Sequence, residues 1–316
     1  MTVSVVIPCY NREQILPRAI ESAVSQTVCP HEIVVVDDGS RDGSAKVARS
    51  FGDLVRVVEQ PNAGAAAARN RGIEVATGDW IAFLDSDDEW DARKLELQLA
   101  AASRFPEAKL VFCDTIVRSD KEVLMPSRFA LGGLYGEERE RDGAFAVYDR
   151  SLFSRMLNQS RVITSAVMVR RELPELQFPE KIWGSEDWGL WLTLAIHYRF
   201  ASVDQVLVTM HQQGDNISSV KGKLYRNDTY VLGELLADGS LTDPEREAVT
   251  ATLNRRRVGA IYHSLVAGDT VEARPLLKRV SVSDLGFFRY PIYRLLSLLP
   301  GSVVRRIARG RRAAEG

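Results

Sequence analysis

The chain has 316 residues, enough for one large catalytic domain with an appendage. Its 41 Lys and Arg nearly cancel 42 Asp and Glu, leaving a formal charge of −1, which removes any whole-molecule argument for nucleic-acid binding. Cys9, Cys29 and Cys113 are too few for a disulfide framework or zinc cluster, the amino terminus lacks a leader-like pattern, and no apolar run approaches a membrane span; a reducing cytoplasm is the expected setting.

The first third alternates short β-branched runs with helix-favouring stretches. Residues 3–7, 32–36, 54–58, 80–84 and 110–112 read as strands, and 14–24, 45–50, 65–75 and 92–103 as helices. The strand runs are apolar on consecutive positions, so both faces are expected to be buried in a mainly parallel sheet flanked by helices. To about residue 114 this is a doubly wound α/β unit. Ligands in such sheets sit beyond the carboxyl ends of the strands. Those ends carry Tyr10-Asn11-Arg12, Asp37-Asp38-Gly39-Ser40, Pro61-Asn62-Ala63-Gly64 and Asp85-Ser86-Asp87-Asp88, four polar loops expected to face one crevice.

From 118 to 150 the chain becomes charged and glycine-bearing, which predicts a mobile loop or insertion. A strand is expected over 161–169, a short amphipathic helix over 186–197 and another strand over 201–210, closing the catalytic part near residue 219. Helices follow over 224–236 and 244–266. Residues 285–299 mix Phe, Tyr, Leu and Ile with single arginines, and Arg305, Arg306, Arg309, Arg311 and Arg312 come after. Two readings are open: an interfacial helix giving peripheral membrane contact through 284–316, or a helix packed on the catalytic domain with a solvated tail. Pro291 and Pro300 interrupt the period that one long surface helix would need.

Asp85 and Asp87 place two carboxylates on one side of an extended turn, an arrangement suited to a hard divalent cation bound through oxygen. Such a cation bridges diphosphate oxygens and stabilises the charge of a departing nucleoside diphosphate. Two acids in a turn are otherwise ordinary solvated loop residues, and the strand-end position is what sets these apart. Asp88 has three readings: sharing the metal, touching a donor hydroxyl, or capping the helix expected near residue 92. Asp37 and Asp38 are acceptors for a nucleobase or ribose, or else part of a plain turn. Tyr10 stacks on the base or fills the core, and Trp90, Trp183 and Trp188 present the same choice toward a sugar ring.

The combination resembles the family 2 inverting glycosyltransferases of GT-A fold over roughly residues 2–219. Its carriers are the run from Val3 through Pro8-Cys9-Tyr10-Asn11, Asp37-Asp38-Gly39-Ser40, the stretch from Asn62 to Gly72 with Gly64, Arg69 and Asn70, and the stretch from Phe83 to Trp90. The resemblance implies that Pro8 and Tyr10 line the nucleotide pocket, Asp38 binds the base and Arg69 approaches the nucleotide. It further implies Asp85 on the ribose side and Asp87 on a Mn or Mg ion. The second residue of the Glu186-Asp187 pair would be the catalytic base, with Trp188 beside it. Asp187 would take a proton from the acceptor hydroxyl as that oxygen attacks the anomeric carbon, inverting its configuration. The bland alternative is that Glu186 and Asp187 merely suit a helix amino terminus. His211 fits a metal- or diphosphate-binding histidine and would favour Mn over Mg; its alternative is an ordinary polar loop residue.

The expected organisation is therefore a catalytic domain over 1–219, with a donor half to about 114 and an acceptor half over 115–219, and a helical extension over 220–316. The expected activity uses a nucleotide-sugar donor, of the UDP type, and a glycan or lipid-linked acceptor, as in bacterial surface polysaccharide assembly. A sugar-phosphate nucleotidyltransferase would need a glycine-rich phosphate loop after the first strand, which Pro8-Cys9-Tyr10-Asn11 does not supply. A glycan-binding relative without catalysis is disfavoured by the joint presence of Asp38, Asp85, Asp87 and Asp187.

Overall fold

The computed structural model describes residues 1–132, 140–158, 162–182, 184–212 and 221–314, the side chains at 131, 132, 221 and 309–314 excepted. The elements of the first part are β1 (Val3–Cys9), α1 (Leu16–Val24), β2 (Glu32–Asp37), α2 (Ser44–Arg49), β3 (Val55–Glu59), α3 (Ala65–Val75), β4 (Trp80–Phe83), β5 (Glu89–Trp90) and α4 (Lys94–Arg104). There follow β6 (Ala108–Arg118), β7 (Val123–Met125), α5 (Arg128–Gly132), β8 (Glu140–Asp142), β9 (Phe145–Tyr148), α6 (Ser151–Met156), a 3-10 turn (Thr164–Ala166), β10 (Val167–Arg170), α7 (Glu186–His197) and β11 (Arg199–His211). The remainder is helical: α8 (Lys221–Ala237), α9 (Asp243–Val266), α10 (Thr270–Leu277), α11 (Val282–Leu285), α12 (Arg289–Leu298) and α13 (Gly301–Ala314).

One sheet runs in the order β3-β2-β1-β4-β10-β6-β11-β9-β8, with β5 added to β11 and β7 to β6. It is parallel through β3-β2-β1-β4 and again between β6 and β11, while β10 runs antiparallel between β4 and β6. Every residue of β1 and β4 is buried, as expected for strands covered on both faces. Close approach of α3 to β1 requires Gly72, where an added Cβ would stand 2.2 Å from Val6 Cγ1.

The strand order reverses at β1, which places a crevice at the carboxyl ends of β1 and β4. Pairing of β1 with β4 covers Val3 to Val6, whereas pairing with β2 continues to Cys9. Pro8, which has no N–H to donate, falls where β1 has outrun β4 and needs no partner on that side.

The chain forms two compact units, Met1–Lys181 with Glu186–Asn216, and Ile182–Ser185 with Ile217–Gly316. The first has its core between sheet and helices, around Val5, Ile7, Ile20, Val35, Trp80, Leu95, Val111 and Met168. The second packs Ile261, Leu265, Ala273, Leu277, Leu285 and Val304 among its helices.

Three expectations change. The strand expected over 161–169 begins only at Val167, because Thr164–Ala166 turns in a 3-10 coil whose hydroxyls serve other chains of hydrogen bonds; Arg161 lies outside the described residues. The stretch over 118–150, expected as a mobile loop or an insertion, contributes three strands and a helix, which a plain loop would not. Its anchor is buried Asp114, which accepts from Ser127 Oγ at 2.5 Å and from the N–H groups of Arg128 and Phe129 at 2.9 and 3.0 Å. Residues 289–314 make two helices: Pro300 separates them as expected, whereas Pro291 lies in the first turn of α12, where its missing N–H is harmless and interrupts nothing.

Candidate active site

The loops after β1, β2 and β3 are tied to one another. Asn11 adopts φ +52° and donates its N–H to Ser40 Oγ at 2.9 Å, while its Oδ1 accepts from Arg41 N–H at 2.8 Å. Tyr10 stands exposed at the end of β1. Asp37 turns inward and accepts the Ser40 N–H at 3.1 Å. Asp38 is buried, its Oδ1 accepting from Gln60 Nε2 at 2.7 Å and Ala63 N–H at 2.9 Å, and its Oδ2 from Gly64 N–H at 2.8 Å. In this structure its carboxylate organises the loop that leads into α3. Gly64 has φ +94°, a conformation that disfavours side-chain-bearing residues, so a glycine is required to start α3 there.

From α3 that loop presents Arg69, 6% exposed, into an ion chain. Its Nη2 donates to Asp85 Oδ1 at 2.7 Å and its Nη1 to Glu186 Oε1 at 3.0 Å, with Phe178 stacked 5.2 Å from the guanidinium carbon. Burial alone would weaken the charge on Arg69, but the carboxylates of Asp85 and Glu186 outweigh it and hold the guanidinium protonated. This chain links the end of β4 to the start of α7. Nε of Arg69 and Oε2 of Glu186 have no partner among the described residues, two polar atoms left over in the site.

The acidic turn is built on Ser165. Its Oγ donates to Asp88 Oδ2 at 2.5 Å and accepts from Asp85 N–H at 3.0 Å, while Arg18 Nη2 donates to the Asp87 carbonyl at 2.8 Å. Asp88 therefore caps no helix. Burial, followed by the charges of Asp85 and Asp87, pushes its carboxyl well above the usual range. Asp85, Asp87 and Asp88 share one turn, near enough for the charges of the first two to act on the third, and carboxylate oxygens are the donors that a hard dication takes. Among the described residues no group of three or more His, Cys, Asp or Glu is arranged to hold a metal alone. A hard ion bound at this turn would need further oxygen ligands, such as diphosphate and water, beyond those the described side chains supply. His211, at the end of β11, has Nε2 3.3 Å from Glu89 Oε2 on β5, two residues past Asp87.

Asp187 opens α7 beside Glu186 but in a different state. Glu186 is buried and paired with Arg69; Asp187 is partly exposed, accepting from Thr164 Oγ1 at 3.1 Å through Oδ2 and from Trp188 N–H at 2.7 Å through Oδ1. Burial, then the charge of Glu186, raises its carboxyl from 3.8 to about 6, against the opposing pull of Arg69 and the two hydrogen bonds. A carboxylate poised there is a competent base near neutral pH.

Trp188 does not join this group. It is 4% exposed and its indole N–H donates to the Met156 carbonyl at 2.7 Å, so no face is open to a sugar ring. Trp90 is likewise core, donating to the Ser165 carbonyl at 2.8 Å. Trp183 lies outside the described residues, as do Asn216 and Ser218, the polar residues that follow His211 in the sequence. The sequence pattern also passed over Thr164 and Ser165, which connect the acidic turn to Asp187. A Thr-Ser pair before a strand carries no signal of its own.

This architecture, a central sheet parallel at its amino-terminal half and mixed beyond, is of the GT-A type. The Glycosyl transferase family 2 profile matches residues 4–163, and the chain belongs to that family of glycosyltransferases. It is 40% identical over 100 residues to the Escherichia coli enzyme WfgD, "UDP-Glc:alpha-D-GlcNAc-diphosphoundecaprenol beta-1,3-glucosyltransferase", covering 31% of this chain and 40% of WfgD. Matches to the first curated relatives cover only 26% to 33% of those proteins' own lengths. In fold it is similar to S. aureus TarS 1–349 in complex with UDP-GlcNAc, with TM-score 0.66 and 17% identity over 98% of this chain and 92% of that one. It is also similar to the Pyrobaculum calidifontis mannosyltransferase PcManGT in complex with GDP-Man and Mn2+, with TM-score 0.56 and 18% identity over 97% and 83%.

Proposed function

We propose that this protein is a metal-dependent, inverting glycosyltransferase that moves a sugar from a UDP-type donor to a hydroxyl of a glycan or lipid-linked glycan. The observation that carries the reading is the Asp85–Arg69–Glu186 ion chain with Asp187 beside it, poised at about 6. Donor binding is assigned to about residues 1–114 and acceptor binding to 115–219, with 220–316 as a helical extension. The named activity of WfgD, with its UDP-Glc donor and diphosphoundecaprenol-linked acceptor, supports this donor and acceptor class.

In this reading Tyr10 and Pro8 border the base, and Asp38 either holds the adjoining loop or adds a contact to the base through a remaining lone pair. Asp85 meets the ribose. Asp87 and His211 would hold a Mn or Mg ion, supported by the Mn2+ in the PcManGT complex. When bound, that ion neutralises the charge that builds on the diphosphate as it leaves. Arg69, buried and permanently protonated, keeps Asp85 oriented and separates its charge from that of Glu186. Asp187 accepts the acceptor hydroxyl proton; the freed oxygen attacks the anomeric carbon, and the carbon–oxygen bond to the diphosphate breaks with its electron pair leaving on the nucleotide. A single displacement inverts the anomeric centre.

A donor panel by thermal shift with and without Mn, followed by assay of nucleoside diphosphate release with acceptor glycans, tests the proposal. Mn-dependent stabilisation by one nucleotide sugar and its turnover are expected. Stabilisation only by nucleoside triphosphates, with pyrophosphate released, would overturn it.

A further inference from the structure

Helix α12 is apolar on both faces. Tyr290, Tyr293 and Leu296 pack inward on the core of the helical unit. Phe288, Ile292, Leu295 and Leu298 recur at helical spacing on the outer face and are 83%, 47%, 64% and 70% exposed, with Phe287 next to them at 81%. On α13, Val303 and Ile307 are also exposed, one turn apart. An apolar row of this kind is far from the scattered exposed side chains of an ordinary surface.

The charge around the row has one sign. Residues 286–314 contain seven arginines and no Asp or Glu, in a chain whose net charge is −1. On α12 the helical period sets Arg289 and Arg294 on opposite flanks of the row, where long side chains lay their stems along apolar surface and hold their charge at its border. Arg289, Arg294, Arg305 and Arg306 form no ion pair among the described residues. Arg309, Arg311 and Arg312 follow along α13, their side chains undescribed. No described helix is long and apolar enough to cross a membrane.

We infer that the outer face of α12 docks on the surface of an anionic bilayer, with Phe287, Phe288, Ile292, Leu295 and Leu298 in the headgroup boundary and the flanking arginines on lipid phosphates. An apolar stripe bordered by unpaired cations matches that surface in both chemistry and charge, whereas a protein partner would have to supply acids on both sides of an apolar groove. The inference is independent of which donor the protein uses.

Vesicle flotation of the full chain tests it. The protein is expected to float with vesicles rich in phosphatidylglycerol and to stay behind with neutral phosphatidylcholine. The pair Arg289→Gln and Arg294→Gln should lower partitioning roughly tenfold or more, and Ile292→Ser with Leu295→Ser should do so at least as strongly. Both pairs alter exposed side chains, and circular dichroism melts check their folding. Leu295→Trp adds a direct reading, in which tryptophan emission moves to shorter wavelength only when anionic vesicles are added. Absence of flotation, equal flotation of the variants, or an unmoved emission would overturn the inference. So would sedimentation showing a dimer that the Ile292→Ser, Leu295→Ser pair dissociates, since the face would then belong to a second copy.

Discussion

Replacing Thr164 by Val removes one hydroxyl and changes little else, because the two side chains have nearly the same shape. The lost group donates to Asp187 Oδ2 at 3.1 Å and is one of the influences that hold the carboxyl at about 6 rather than higher. A hydrogen bond to a charged group contributes about 1.5–3 kcal/mol, and a pKa unit corresponds to about 1.4 kcal/mol, so a rise of about one unit is expected. The base form is the deprotonated one, so activity rises with pH through the pKa of Asp187, and Thr164→Val moves that acid limb upward. With the pKa at about 7 rather than 6, kcat/KM falls about fivefold at pH 6 and hardly at all at pH 8.5. The assay is kcat/KM for transfer across pH 5–9 in both proteins, with donor affinity measured alongside. A uniform loss at every pH, or a limb that does not move, would refute the assignment of Thr164 to Asp187 and weaken Asp187 as the base.

Asp187→Asn should abolish transfer while leaving donor binding by calorimetry nearly unchanged. The same variant should be more stable at neutral pH. Because the folded pKa is raised, Asp187 adds stability below its ordinary 3.8 that is lost as pH rises through about 6, so the Tm gain of the Asn variant should be present at pH 7.5 and absent at pH 3.5. The full shift corresponds to at most about 3 kcal/mol, reduced because the carboxyl is partly exposed. Arg69→Met leaves Asp85 and Glu186 without their shared cation and should cost about 3–5 kcal/mol by denaturant titration, with loss of donor binding. Asp87→Ala should remove the Mn dependence of nucleotide binding; identical Mn titrations in variant and parent would exclude a metal role for Asp87. Gly72→Ala forces a Cβ into Val6 and should destabilise the fold by about 1–3 kcal/mol without altering the pH profile of the folded fraction.

Much of the amino-terminal half of the sheet was legible from local pattern. The consecutive apolar runs of β1, β2 and β4 predicted strands buried on both faces, and the polar clusters marked their carboxyl ends. The stretch over 65–75 was read as a helix and is α3 to the residue. The stretch over 186–197 coincides with α7, since its hydrophobic period and acidic first turn are local features. Hydropathy could not place Asp88 against Ser165, nor Asp38 against the amides of residues 63 and 64. Those bonds join residues 77 and about 25 positions apart and leave no periodic trace.

What the sequence determined by itself was the βαβ order, the family and the identity of the acids at the strand ends, because these depend on residue type and short-range spacing. Tertiary structure alone decided which acid is available. Burial beside Arg69 commits Glu186 to an ion pair, while burial and the charge of Glu186 raise Asp187 to about 6 against the hydrogen bonds it accepts from Thr164 and the Trp188 N–H. Tertiary packing also decided that Trp188 belongs to the core and that α12 keeps a second apolar face uncovered. Charge state and exposure are set by what folds against a side chain, and a linear sequence does not contain that neighbour.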